Sequence, residues 1–206
     1  MVLAFIILSE FGMEAASIVA LLGSAGVTIG LALQGSLSNL AGGVLILVLK
    51  PFRVGDYIHE DTHGNEGTVT EINMFYTKLT TVDERVVVMP NGTLANTSLV
   101  NFTVNGIRRV DMVFSIAYGA DINLAKKVIE EVLDNYDKKL TGKTVSVFVD
   151  SLDDSCVNIG ARLYCAGADY WDAKWTVTEE VKKALDDHRI EIPFPQLDVH
   201  VKKPDL

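Results

Sequence analysis

Residues 15–49 read AASIVALLGSAGVTIGLALQGSLSNLAGGVLILVL, a run of 35 residues without Asp, Glu, Lys, Arg or His, bracketed by Glu14 and Lys50. Water-soluble domains seldom go this long without a charge, whereas a bilayer requires it. A span needs about 20 apolar residues, because a helix rises ~1.5 Å per residue through a hydrocarbon core ~30 Å thick. As one straight helix the run would measure roughly 52 Å, more than a bilayer needs. The expected break is at Gln34-Gly35-Ser36, where polar and small residues interrupt the apolar pattern. Residues 15–33 would then span the membrane. Residues 37–49 would form a second helix, given a polar edge by Ser36, Ser38 and Asn39.

Within the spanning half, small residues recur at helical spacing. Gly23, Gly26 and Gly30 stand three and four apart, and Ala16, Ala20, Ser24 and Thr28 repeat every fourth residue. Lipid supplies no hydrophobic drive between helices, so small residues mark where backbones approach closely. Two such faces on one helix fit a copy packed on each side, which describes a ring. A third line, Val19, Gly23, Val27 and Leu31, has the same period. In a ring, Val27 and Leu31 would make two apolar constrictions one turn apart, and such constrictions gate ions by dewetting. The same repeats fit a single anchor helix with ordinary glycine pairing, and the helix alone leaves both readings open.

Outside this run the chain is acidic: 206 residues carry a net charge of −9. Nucleic-acid binding, which needs a basic stripe, is excluded as a partner class. Residues 1–11 are apolar but only half a span long, without a basic leader, and read as the tail of a preceding membrane helix. Lys50 and Arg53 follow the apolar run while Glu10 and Glu14 precede it, which places the C-terminal part in the cytoplasm.

After Phe52 the pattern changes to strands. Tyr57-Ile58, Gly67 to Ile72, Thr77 to Thr81 and Arg85 to Met89 are β-branched and alternating, separated by the turn formers His63-Gly64-Asn65, Asp83-Glu84 and Pro90-Asn91-Gly92. Short strands with tight turns predict a small barrel-like sheet. Beyond Arg108 the order reads strand (Val110 to Ala117), helix capped by Asp121, strands Thr144 to Val149 and Val157 to Tyr164, helix Trp171 to His188, and a last strand at Leu197 to Val201. That β-α-β-β-α-β order is ferredoxin-like and names no function by itself.

Nothing rises above background for an enzyme. Gly42-Gly43 lies inside the apolar run rather than after a strand, so it is no phosphate loop. Asp150, Asp153 and Asp154 read as a solvated acidic turn. His59 and His63 have no third ligand and read as exposed; His188 and His200 are isolated. Trp171 and Trp175, one turn apart, read as core. Cys156 and Cys165 have neither CxxC spacing nor a neighbouring His and read as buried or half-buried thiols of a reducing compartment. No metal and no cofactor are expected.

Two series of motifs carry a resemblance. One is Gln34-Gly35-Ser36-Leu37-Ser38-Asn39-Leu40-Ala41-Gly42-Gly43 followed by Lys50-Pro51-Phe52-Arg53-Val54-Gly55-Asp56. The other is Met89-Pro90-Asn91-Gly92, Asn101-Phe102 and Pro193-Phe194-Pro195-Gln196-Leu197-Asp198-Val199. In this order they closely resemble the bacterial small-conductance mechanosensitive channel family, from about Ala15 to Val201. The resemblance implies a membrane α-helical pore segment followed by a cytoplasmic small β-barrel (Sm-like) domain and an α+β ferredoxin-like domain. The boundaries are then 1–14 for the remnant of a preceding helix, 15–49 for the pore helix, 50–106 and 107–192 for the cytoplasmic domains, and 193–206 for a last strand and tail.

The family further implies a homo-oligomer, a heptamer, in a bacterial or archaeal plasma (inner) membrane, multi-pass when further helices precede this chain. Membrane tension would open it to ions and small osmolytes on hypo-osmotic shock. Leu31 matches a pore-constricting leucine, and Val27 falls where a second leucine is usual. Gly35 matches a kink and Gly43 an alternative bending point, while Leu33 and Leu37 match positions that receive force from outer helices. Thr28 replaces a small alanine in the packing stripe formed by Ala16, Ala20, Gly23, Ser24, Gly26 and Gly30. The alternative from a different class is a membrane-anchored scaffold or binding module without conduction.

Overall fold

The computed structural model describes residues 15–200, which fall into two compact units with the boundary between Val104 and Asn105. Residues 1–14, expected as the remnant of a preceding helix, and residues 201–206, including the end of the expected last strand, lie outside the described residues.

The first unit opens with helix α1 (Ala15–Leu49). The expected break at Gln34-Gly35-Ser36 is absent: helix runs unbroken through all three residues. One glycine costs a helix about 1 kcal/mol relative to alanine, which softens the position without terminating it when good helix formers flank it. The end comes at Lys50, which takes the left-handed conformation (φ 50°) with its N–H on the Ile46 carbonyl at 2.9 Å. Pro51, lacking an N–H, cannot continue the ladder.

Five antiparallel strands follow: β1 (Tyr57–Glu60), β2 (Glu66–Ile72), β3 (Tyr76–Thr80), β4 (Val86–Pro90) and β5 (Leu99–Asn101), in spatial order β4-β3-β2-β1-β5. Alternation turns Ile58, Val69, Leu79 and Met89 to one side, where they form a core with Ile46, Phe52 and Leu94. A register shift between Val69 and Glu71 bends β2 against β3. Between β4 and β5 lies a short helix, α2 (Asn91–Asn96), where the sequence suggested only a turn. The unit boundary at Val104 falls two residues before the expected end of the β domain at 106.

In the second unit, β6 (Ile107–Ile116), β8 (Val157–Ala166) and β7 (Ser146–Leu152) pair antiparallel in the order β6-β8-β7. Helices α3 (Ile122–Asn135) and α4 (Tyr170–Asp187) bury Ala125, Val128, Ile129 and Leu133, and Ala173, Val177, Val181 and Leu185, in one core with the sheet. Asp121 caps α3 as expected, its carboxylate accepting the N–H groups of Asn123 and Leu124. Tyr136 closes the helix and donates to Asp172 at 3.1 Å; burial, then this bond, push its phenol up to about 12.

Two expectations for this unit are corrected. Trp171 and Trp175 are not core: they are 50% and 67% exposed and stack with ring centroids 5.8 Å apart. The buried seam of α4 recurs at Ala173, Val177, Val181 and Leu185, and the tryptophans stand two residues off it, about 200° around the helix. The last strand is also absent among the described residues. Residues 190–200 form neither helix nor strand. The segment leading to the expected strand is tied down by Ala117 N–H on the Glu191 carbonyl (2.9 Å) and by Gln196 N–H on Ser155 Oγ (3.0 Å).

Candidate functional site

Helix α1 is long and apolar enough to cross a membrane, and from Ala16 to Ser38 every residue is exposed except the buried Ile18 and the partly buried Leu22. Val27 and Leu31, one turn apart, are 63% and 66% exposed. Ala16, Ala20, Gly23, Ser24, Gly26, Thr28 and Gly30 are exposed as well, and a methyl group added at Gly23, Gly26 or Gly30 would meet no atom within 4 Å. The small-residue faces are therefore open surfaces. The two hydroxyls on them are turned back on their own helix: Ser24 Oγ donates to the Leu21 carbonyl and Thr28 Oγ1 to the Ser24 carbonyl, both at 2.8 Å. Their donor hydrogens are spent locally, so these faces present no free hydroxyl donor. Leu33 and Leu37 are exposed too.

The C-terminal third of α1 is different, because it is fastened to helix α2 and to the turn between β2 and β3. Gly42, Gly43 and Ile46 are buried. A methyl group at Gly43 would collide with the Met74 carbonyl and lie 2.7 Å from Asn91 Nδ2; one at Gly42 would lie 2.6 Å from the Asn91 carbonyl carbon and 2.8 Å from Gly92 N. Such distances lie far inside van der Waals contact. On the facing side, Gly92 is equally crowded, with Ser38 Oγ and Asn39 Oδ1 at 2.8 and 2.9 Å from where its Cβ would be. Across this seam Gly92 N–H donates to Asn39 Oδ1 at 3.0 Å.

Asn91 holds the seam from beneath. It is fully buried: its Oδ1 accepts from Thr77 Oγ1 and its Nδ2 donates to the Asn73 carbonyl, each at 2.8 Å. Its own N–H reaches the Phe75 carbonyl at 2.9 Å. A buried amide with every group satisfied fixes one geometry, since each lost partner would leave a desolvated polar atom. The sequence marked Asn91-Gly92 as a turn and Asn39 as a polar edge, but not their meeting. The readable signal was the pairing of two small-residue sites, Gly42-Gly43 and Gly92, each next to an asparagine.

The glycines expected as bending points thus differ. At Gly35 a methyl group would meet nothing within 4 Å, whereas Gly43 is a contact glycine, wedged against backbone. The histidines lie in the β1–β2 hairpin, away from α1. His59, half-buried rather than exposed, has Nδ1 3.4 Å from Glu66 and Nε2 3.8 Å from Asp61; His63 Nδ1 is 3.2 Å from Glu60. Glu60 is fully buried. Burial alone would raise its carboxyl, but the N–H groups of His63 and Thr62 and the Thr97 hydroxyl outweigh that and hold it at about 2. Among the described residues no three His, Cys, Asp or Glu side chains are arranged to hold a metal ion.

A family model described as the mechanosensitive ion channel beta-domain matches residues 35–104, and one described as the MscS C-terminal region matches residues 110–192. The chain is 35% identical to the small-conductance mechanosensitive channel of Helicobacter pylori, over 97% of this chain and 73% of that protein. The chain belongs to the MscS family. It is 38% identical to an MscS family protein of Buchnera aphidicola and 40% identical to the small-conductance mechanosensitive channel of Edwardsiella ictaluri, covering 95% and 86% of this chain. It spans 64% and 62% of the length of those two relatives. The crystal structure of closed-state Helicobacter pylori MscS superposes with a TM-score of 0.90 at 34% identity, over 97% of this chain and 78% of that one. Arabidopsis thaliana MSL1, at 20% identity and a TM-score of 0.75, shares the fold. The MscS beta-domain match begins at residue 35, inside α1, so the family's own boundary groups the fastened third of the helix with the sheet.

Proposed function

We propose that this chain forms the pore and cytoplasmic part of a homo-oligomeric, tension-gated channel, a heptamer, in a bacterial or archaeal plasma (inner) membrane. It passes ions and small osmolytes on hypo-osmotic shock. The observation that carries the reading is the division of α1 into an uncharged, largely exposed length with open small-residue faces and a fastened C-terminal third. An anchor helix needs neither. The scaffold alternative gains no support from relatives named as channels.

In the ring, Ala16, Ala20, Gly23, Ser24, Gly26, Thr28 and Gly30 pack neighbouring helices, and Val27 and Leu31 face the axis. Closed, the two apolar rings exclude water and with it ions. Tension favours the state of larger membrane area, so it does work on the equilibrium between closed and open rings. Leu33 and Leu37 take force from membrane helices that precede this chain in a complete, multi-pass protein, and the domains after Lys50 lie in the cytoplasm. Bending falls first at Gly35. Bending at Gly43 requires the helix to leave Met74 and Asn91. No catalytic role is assigned.

The test is a pressure ramp on membrane patches holding the chain together with the preceding membrane helices, for wild type and Leu31→Ser. Stepwise currents that appear at lower tension in the variant support the reading. Tension-independent silence of both overturns it.

A further inference from the structure

We propose that Phe194 of one copy seats on the Trp171–Trp175 stack of the next copy, a contact between the C-terminal units of neighbouring subunits. The proposal rests on the oligomeric reading above. Two exposed aromatic features of the second unit carry it. The first is the tryptophan pair on α4, two rings stacked at 5.8 Å and a 30° interplanar angle, with Tyr170 edge-on to Trp171 at 5.2 Å. The second is Phe194, 84% exposed between Pro193 and Pro195. Its segment is fixed on both sides, by Ala117 N–H on the Glu191 carbonyl and by Gln196 N–H on Ser155 Oγ. The prolines restrict the backbone between those ties.

Phe194 and both tryptophans are exposed over half or more of their surface, so within one chain neither feature covers the other. Tryptophan and other large aromatics held in place before contact lose little entropy on docking, which is why they dominate interface energies. The charges agree with the pairing. Lys174, 5.5 Å over the Trp171 ring, has no carboxylate within ion-pair distance among the described residues, and neither Glu191 nor Asp198, which bracket Phe194, has a basic partner among them. A cation beside the aromatic socket thus meets two carboxylates beside the aromatic knob. Because knob and socket are different patches, the contact is head-to-tail, the type that closes into a ring when the rotation allows.

The experiment uses the full chain in detergent micelles. Trp175→Cys and Phe194→Cys are made singly and together, treated with a short bismaleimide, and resolved on denaturing gels beside the native mass of each sample. A linker is required because ring-on-ring packing separates the two backbones beyond disulfide reach. The expected result is a ladder of covalent oligomers in the double variant only, absent from the singles and from wild type with its native Cys156 and Cys165. As a second readout, Phe194→Ala in the otherwise native chain makes tryptophan emission more quenchable by iodide. An intact oligomer by native mass, with no ladder above the singles and unchanged quenching, overturns the contact and leaves the channel reading standing. A monomeric native mass overturns both.

Discussion

Asn39 and Asn91 lie on opposite sides of one seam, yet they are linked through a single residue. Asn39 Oδ1 accepts the Gly92 N–H at 3.0 Å, and Asn91, the preceding residue, is locked in the sheet by Thr77 and Asn73. The membrane helix is thereby joined to the β unit through hydrogen bonds and bare backbone contact, with no charged pair in the joint. Such a joint is insensitive to salt and depends on the closeness of glycines.

That closeness yields the first prediction. Gly43→Ala forces a methyl group onto the Met74 carbonyl and should weaken helix docking by about 1–3 kcal/mol, the usual cost of overpacking. Gly35→Ala meets open space and should stiffen α1 by about 1 kcal/mol without disturbing docking. Thermal unfolding of the purified variants separates them: Gly43→Ala lowers the midpoint and Gly35→Ala does not. In patches, Gly35→Ala alters closure or inactivation, and identical recovery kinetics would remove it as the hinge.

A second prediction concerns the buried amide. Asn91→Ala leaves the buried Thr77 Oγ1 without its acceptor, a loss of roughly 1–3 kcal/mol, and also removes the Nδ2 donor from the Asn73 carbonyl, whose residue is exposed. Denaturant midpoints should fall for the β unit. An unchanged midpoint would mean that water replaces the amide.

The proposed constriction supplies a third. Val27→Ser and Leu31→Ser each add a hydroxyl to an exposed apolar line, and wetting should become easier in both. Leu31 is the bulkier, so its replacement should lower the opening tension more. Equal thresholds for wild type and Leu31→Ser in pressure ramps would take the gate away from this position.

Acid provides the fourth. Glu60 is held at about 2, below its ordinary 4.5. Its contribution to folding is therefore complete above about pH 4.5 and is lost as pH falls toward 2. Glu60→Gln removes a charged acceptor of two N–H groups and one hydroxyl, which should cost roughly 1.5–3 kcal/mol at neutral pH. It should also flatten the acid limb of the stability curve between those two pH values. A variant curve parallel to wild type there would exclude Glu60 as its source.

Much of this was legible in the chain. The uncharged run fixed the membrane helix, and period-two alternation located Ile58, Val69, Leu79 and Met89. Asp121 announced its cap. What escaped had physical reasons. The unbroken helix at Gly35 escaped because propensity sets a cost and not a stop. The exposure of Trp171 and Trp175 escaped because four-residue spacing fits any helix face, and only the competing Ala173–Val177–Val181–Leu185 seam decides which face is buried. The Asn39–Gly92 joint spans 53 positions, a separation that no local pattern encodes.

Ser24 and Thr28 spend their hydroxyl hydrogens on their own helix. Seen as a machine part, the flank of α1 is then a dry bearing. In the proposed ring, neighbouring flanks would be held together by contact, with no hydroxyl donor left to bond across when one helix moves lengthwise past the next. In that ring those two side chains would lower friction more than adhesion, so substitutions there would change the speed of a transition more than what its two end states weigh against each other.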